Sequence, residues 1–289
     1  MLFRSYSPVN SLEYSSASYP WEALRNSNTK NNDGNKYVPC NAVDEDCIDV
    51  MPEVWNSQVK EWTDALSEGH IDALDWCGQV GKIGWYIPTA TASRDASLLS
   101  HYGLRGESNR AKLAETFKRP TTWAEYCEEV STNNCTDPDT VAEEYPPDDE
   151  SATKYFVEDK YTGYFRMLPE NDCSKFPDTC TGYMVSPPCT WSTNVDAQLY
   201  WNNIVALTQD GPEEPNKGYS YGSMIEIWKA ANVTSSDTLM WWWQPETLLD
   251  KFRGTGWGFQ QVMLPTVTDV CFKNRISGTD RCDEDPSVR

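Results

Sequence analysis

The residues best equipped for chemistry in this sequence are its tryptophans. There are thirteen in 289 residues, and three of them are consecutive, Trp241-Trp242-Trp243. Other equipment is sparse. His70 and His101 are the only histidines, which leaves few ways to assemble a Ser-His-Asp arrangement. No GxxxxGK[ST] phosphate loop, GxSxG nucleophile turn or HExxH metal helix occurs. The ten cysteines include no CxxC pair, so zinc-type spacing is missing. A glycoside hydrolase needs only two carboxylates, but the pairs Glu143-Glu144 and Asp148-Asp149 fall in a polar, proline-bearing stretch that reads as solvated surface. The expectation is a chain with no catalytic residue, no metal and no cofactor.

Any single tryptophan is first of all a packing residue, because its ring buries a large apolar area. A run of three demands more. In a strand, successive side chains face opposite ways, so Trp241 and Trp243 share one face and Trp242 takes the other. The same rule separates Trp85 from Tyr86. Several ring faces lining one cleft suit a ligand whose positive charge has no N–H to donate. A quaternary ammonium group is such a ligand, and each ring face is worth roughly 0.5–2 kcal/mol to it. Sugars also stack on indole rings, which keeps a sugar-binding protein, or a disulfide-stapled secreted carbohydrate-active enzyme, open as the alternative.

The elements that must position these rings follow from periodicity and punctuation. Val59, Trp62, Ala65 and Leu66 predict a helix within 57–69, and Lys82–Ile87 a strand closed by Pro88. Helices are expected over 109–118, 196–207, from Ser223 to Ala231, with Ser223 and Glu226 at capping-box spacing, and over 246–252 behind Pro245. Strands are expected over 48–51, 238–243 and 260–264, and loops over 24–36, 131–153 and 171–190. Alternating strands and helices predict an α/β fold with a largely parallel sheet, which binds ligands at the carboxyl ends of its strands.

Composition narrows the setting. The net charge of −20 repels phosphate backbones and anionic lipid, so neither nucleic acid nor a membrane surface is an expected partner. The apolar stretches are too short to cross a bilayer. An even cysteine count in polar contexts points to disulfides and an oxidising compartment. Short loops favour Cys40–Cys47, Cys127–Cys135, Cys173–Cys180 and Cys271–Cys282, with Cys77 and Cys189 left over, paired or free. Two glycosylation sequons, at Asn134 and Asn232, fit the same compartment. MLFRSYSPVN lacks the apolar core of a signal peptide, so the chain is expected to be truncated at its amino end.

Three segments, Asp49-Val50-Met51-Pro52-Glu53-Val54-Trp55, Gly84-Trp85-Tyr86-Ile87-Pro88 and Trp243-Gln244-Pro245, carry a resemblance in both sequence and order. The chain resembles the glycine-betaine-type substrate-binding proteins of ABC transporters, a branch of the type 2 periplasmic-binding-protein fold. Its cysteine-rich loops are similar to those of the versions found in eukaryotic microalgae. The resemblance implies two α/β lobes around a central cleft, joined by two crossing strands. Lobe one would hold 1–86 and 246–289, and lobe two 87–245. It implies a small cationic or zwitterionic ligand such as glycine betaine or choline. Trp55, Trp85 and Trp243 would line the cleft, with Tyr86 as the substitute if the strand register shifts by one; Trp241 joins them as a site residue because it shares the strand face of Trp243. It also implies an extracellular or periplasm-like location and a membrane transporter or receptor as partner. Where the family often has histidine after Trp-x-Pro, this chain has Glu246. Facing the cleft, Glu246 would favour a bare cation; at a helix start, it would serve the helix dipole.

Overall fold

The computed structural model describes residues 81–122, 169–189, 195–209 and 218–266, together with 28–30, 37–39, 60–69, 71–73, 124, 154–157, 160–161, 165, 191, 193, 211, 268, 270, 274, 276–277, 280, 282–285 and 287–288. The chain divides into two units, Met1–Val80 with Val267–Arg281, and Gly81–Thr266 with Cys282–Arg289.

In the first unit, β1 (Asn28–Lys30) pairs antiparallel with β2 (Tyr37–Pro39), Thr29 opposite Val38. This hairpin arm falls inside a stretch expected to be loop; three residues of Asn-Thr-Lys carry no periodicity from which to read a strand. The expected helix forms as α1 (Lys60–Ser67), and Ala65 packs with Ile71, Trp62 and Leu66. The expected strand at 48–51 and Trp55 lie outside the described residues.

The second unit is built around β3 (Lys82–Pro88), whose last four residues are all buried. It is followed by α2 (Thr89–Arg94) and α3 (Arg110–Thr116), and by the two-residue strands β4 (Phe156–Val157) and β5 (Lys160–Tyr161). Then come β6 (Gly182–Met184), α4 (Val195–Trp201), β7 (Leu207–Gln209), α5 (Tyr221–Thr234), β8 (Met240–Gln244), α6 (Thr247–Lys251) and β9 (Phe259–Val262).

Strands β8 and β9 flank β3, both antiparallel to it, with Trp85 opposite Trp241 on one side and Val262 on the other. β6 and β7 pair in parallel. A single parallel bridge, Val185 to Met240, joins the two sheets. There Val185 N–H donates to Leu239 O and Trp241 N–H to Val185 O, both at 2.8 Å. The strands therefore run β7-β6-β8-β3-β9, four in one direction and β3 against them. The expected largely parallel sheet holds for β7-β6-β8 and is corrected at β3, which pairs antiparallel on both sides: helix–strand alternation does not predict that β3 would insert between β8 and β9.

Apolar side chains cover both faces of β3. Trp85, Ile87, Trp241 and Val262 pack with Leu98, Leu104, Leu113 and Phe117 on one side. Tyr86, Met240 and Trp242 pack with Met224, Ile227, Trp228 and Phe252 on the other. The described core is thus mixed α/β, with apolar layers on both faces of its small sheets.

Local signals explain the element ends. α5 is capped by Ser220, whose hydroxyl accepts from Ser223 N–H at 3.2 Å, three residues before the expected cap. It closes on Ser235 in the left-handed conformation, φ 54°, with Ser236 N–H donating to Ala231 O. α4 stops at Trp201 instead of reaching Leu207, because Asn203 is left-handed (φ 56°) and Ile204 N–H returns to Leu199 O. Leu207 then opens β7. β6 lies within the stretch expected to be a cysteine-rich loop. Pro245 precedes the helix cap instead of opening the helix, and the Gln244–Pro245 peptide is cis.

Two disulfides are described. Cys173–Cys180 forms as expected. Cys282 pairs with Cys189, 93 residues away, which overturns the expected Cys271–Cys282 bridge and gives Cys189 a partner from among the cysteines expected to pair elsewhere. Short separation favours a partner only when nothing else fixes the ends; here Cys189 is held, 2 % exposed, beyond β6. The remaining six cysteines lie outside the described residues. Among those residues, no helix is long and apolar enough to cross a membrane.

Candidate functional site

The chain reverses direction across the sheet at β6. From β6 it steps to β7 on one side, then returns through α5 to β8 on the other. Ligands of open α/β sheets bind at such a switch point, outside the carboxyl ends of the strands. The segments that meet there are tied by backbone hydrogen bonds: Tyr219 N–H donates to Ser186 O at 2.8 Å and Trp191 N–H to Pro188 O at 3.0 Å.

These segments bring five aromatic rings into contact. Trp243, the penultimate residue of β8, is the centre. Its ring lies 4.4 Å from Trp242, 5.6 Å from Trp241, 5.7 Å from Tyr221 and 6.2 Å from Trp191, centroid to centroid. Tyr221 also stacks on Trp242 at 5.7 Å, nearly parallel, and Trp191 meets Trp241 edge-on at 6.4 Å. Trp241 and Trp242 belong to opposite core faces, as strand alternation predicts. Trp243 departs from it: standing near the end of the strand, its ring packs against both. Trp242 is fully buried, Trp191 and Trp243 are half-buried, and Tyr221 is 42 % exposed. Solvent therefore meets the cluster at Tyr221, Trp243 and Trp191.

Glu246 lies beside the rings. It is the cap of α6, accepting from Leu248 N–H on Oε2 at 2.7 Å. The same oxygen accepts from Trp242 Nε1–H at 3.1 Å, while Oε1 accepts from the Tyr221 hydroxyl at 3.0 Å and the Thr247 hydroxyl at 3.1 Å. The two expected roles, helix start and site residue, are thus compatible in one side chain. Desolvation, and then the Glu246 carboxylate, push the Tyr221 phenol above its ordinary pKa.

Of the positions expected from sequence, Trp241, Trp243 and Glu246 come together here. Trp85 lies across the strand from Trp241 but is enclosed by the core, and its indole N–H has no hydrogen-bond partner among the described residues. Tyr86 is buried on the other face against Phe259, ring centroids 5.7 Å apart, and burial raises its phenol pKa. Trp55 lies outside the described residues. Sequence reasoning missed Trp191 and Tyr221. Trp191 follows the buried Pro187-Pro188-Cys189 turn, and Tyr221 stands in the first turn of a helix whose cap was misplaced by three residues. A correct cap would have located Tyr221.

A separate cleft of about 390 Å³, lined by Thr89, Leu249, Arg253, Thr255, Phe259 and Gln260, opens at the other end of the sheet, where β3 ends and β9 begins. Its one ring, Phe259, is stacked on Trp228 at 3.7 Å. Among the described residues, no group of three or more His, Cys, Asp or Glu gathers that could hold a metal.

No protein-family model matches the chain, and neither a characterised protein nor a solved structure resembles it significantly.

The chemistry this cluster offers is attraction of positive charge. Ring faces carry negative potential and donate no proton. Glu246 adds a carboxylate that no lysine or arginine among the described residues pairs with.

Proposed function

We propose that this chain is an extracellular binding domain that captures a small quaternary ammonium or related cationic solute, of the glycine betaine and choline type, for ABC-type transport or for sensing. The observation that carries this reading is the group of rings around Trp243 at the switch point, with three of its members reaching solvent and, beside them, a carboxylate that has no ion pair among the described residues. The three motif segments that resemble glycine-betaine-binding proteins support it. So do the two disulfides, which persist in oxidising compartments. On this reading the chain forms two α/β lobes around a ligand cleft. A transporter or receptor in the membrane would receive the loaded domain.

A thermal-shift screen with choline, glycine betaine, proline betaine, carnitine and a set of sugars tests it. A ligand that binds only the folded state raises stability by about 2.7 kcal/mol at a hundred times its Kd. The expected result is a concentration-dependent rise with at least one quaternary ammonium compound and none with sugars. A rise with sugars alone would transfer the site to carbohydrate stacking and sink the cation reading.

A further inference from the structure

This inference deepens the cation reading and rests on it. Both carboxylate oxygens of Glu246 are held by neutral donors: the Tyr221 hydroxyl and Thr247 hydroxyl on one, the Trp242 indole N–H and Leu248 N–H on the other. Neutral donors fix a carboxylate in place without cancelling its charge. Two of those donors belong to the aromatic cluster itself. A ring whose O–H or N–H donates to an anion gains electron density, and the negative potential over its faces deepens. Tyr221 is polarised directly and is the most exposed ring of the cluster; Trp242 is polarised beneath Trp243, which stacks on it at 4.4 Å. A cation over these rings feels Glu246 twice, through space and through the ring systems. A zwitterion gains the same attraction at its ammonium end but brings a carboxylate of its own into that field, and like charges at about 4 Å repel even through water.

We infer that Glu246 sets the charge class of the ligand, selecting small organic cations of net positive charge over zwitterions of the same size. Glu246 acts as a positioning and charge-setting residue for the rings as well as a helix cap. The three roles separate by substitution. Glu246→Gln keeps the size and removes the charge. Glu246→Asn removes the charge but leaves a side chain well suited to helix capping. Glu246→Asp keeps charge and cap together.

Isothermal titration of the wild type and these variants with choline and with glycine betaine decides the matter. The wild type is expected to bind choline more tightly than glycine betaine. In Glu246→Gln and Glu246→Asn the choline affinity should fall about fivefold, a single charge's worth at short range in water, while glycine betaine affinity holds or improves. Glu246→Asp should keep the wild-type preference. If the neutral variants lose affinity for both ligands by one factor, Glu246 serves only the helix, and the inference fails while the cation site stands. A wild type that favours glycine betaine also overturns it. A wild type that binds neither ligand removes the cation reading and this inference with it.

Discussion

Trp243 touches four other rings, so its removal and that of its neighbour Trp242 should have different consequences. Trp243→Ala deletes the half-buried central face and is expected to weaken ligand binding by about 1–3 kcal/mol, with the fold retained. Trp242→Ala empties a fully buried position and should lower unfolding stability by about 3–5 kcal/mol. Titration with choline, alongside urea unfolding, separates the two; equal affinity losses in two folded variants would show that the rings do not divide into wall and support. At this scale the sequence was informative where alternation alone decides the answer. It placed Trp241 and Trp242 on opposite faces and separated Trp85 from Tyr86 in the same way. It could not foresee that Trp243 wraps over the strand end to meet both faces, because that depends on what covers the end. Nor could it foresee that Trp85 and Tyr86 would be enclosed: burial comes from helices far away in the chain, such as the one bearing Leu113.

Among the elements, β6 was the least legible and is among the most constrained. Its three residues, Gly182-Tyr183-Met184, sit between two cysteine-bearing loops and show no usable period. What makes them a strand is close approach: a Cβ placed on Gly182 would stand 2.4 Å from the backbone oxygen of Leu113 in α3. Backbone cannot yield as a flexible side chain does, so Gly182→Ala should destabilise the chain by about 3 kcal/mol. Gly222, in the first turn of α5, has nothing within 4 Å of the same test position, and Gly222→Ala should be neutral or slightly stabilising. Urea midpoints of the two variants check the pair; similar midpoints would mean that β6 does not pack on α3 as described. The longer elements were legible for the opposite reason. α5 buries Met224, Ile227, Trp228 and Ala231 at helical spacing, and β3 ends where Pro88 must end it. Their signals are repeated over enough residues to survive a misplaced cap.

For the whole molecule, the order of the strands escaped the sequence because pairing partners are chosen by tertiary contact, as were the partners of the cysteines. The Cys189–Cys282 bridge carries a mechanical consequence. When the chain is pulled between its two ends, tension passes from Cys189 straight to Cys282, and the intervening chain, with a separation of 93 residues, bears none of it. That sheltered loop contains α4, β7, α5, β8, α6 and β9, and with them Tyr221, Trp243 and Glu246. Single-molecule stretching of the oxidised protein should therefore fall short of full extension by roughly 300 Å, at about 3.3–3.6 Å per residue. Reductant should release that length, to which the short Cys173–Cys180 loop, the other described bridge, adds little. Equal extension before and after reduction would mean that the long bridge is absent. With it in place, the aromatic site lies off the line of force, and a load that unravels the chain up to Cys189 would leave the segment bearing Tyr221, Trp243 and Glu246 unstretched.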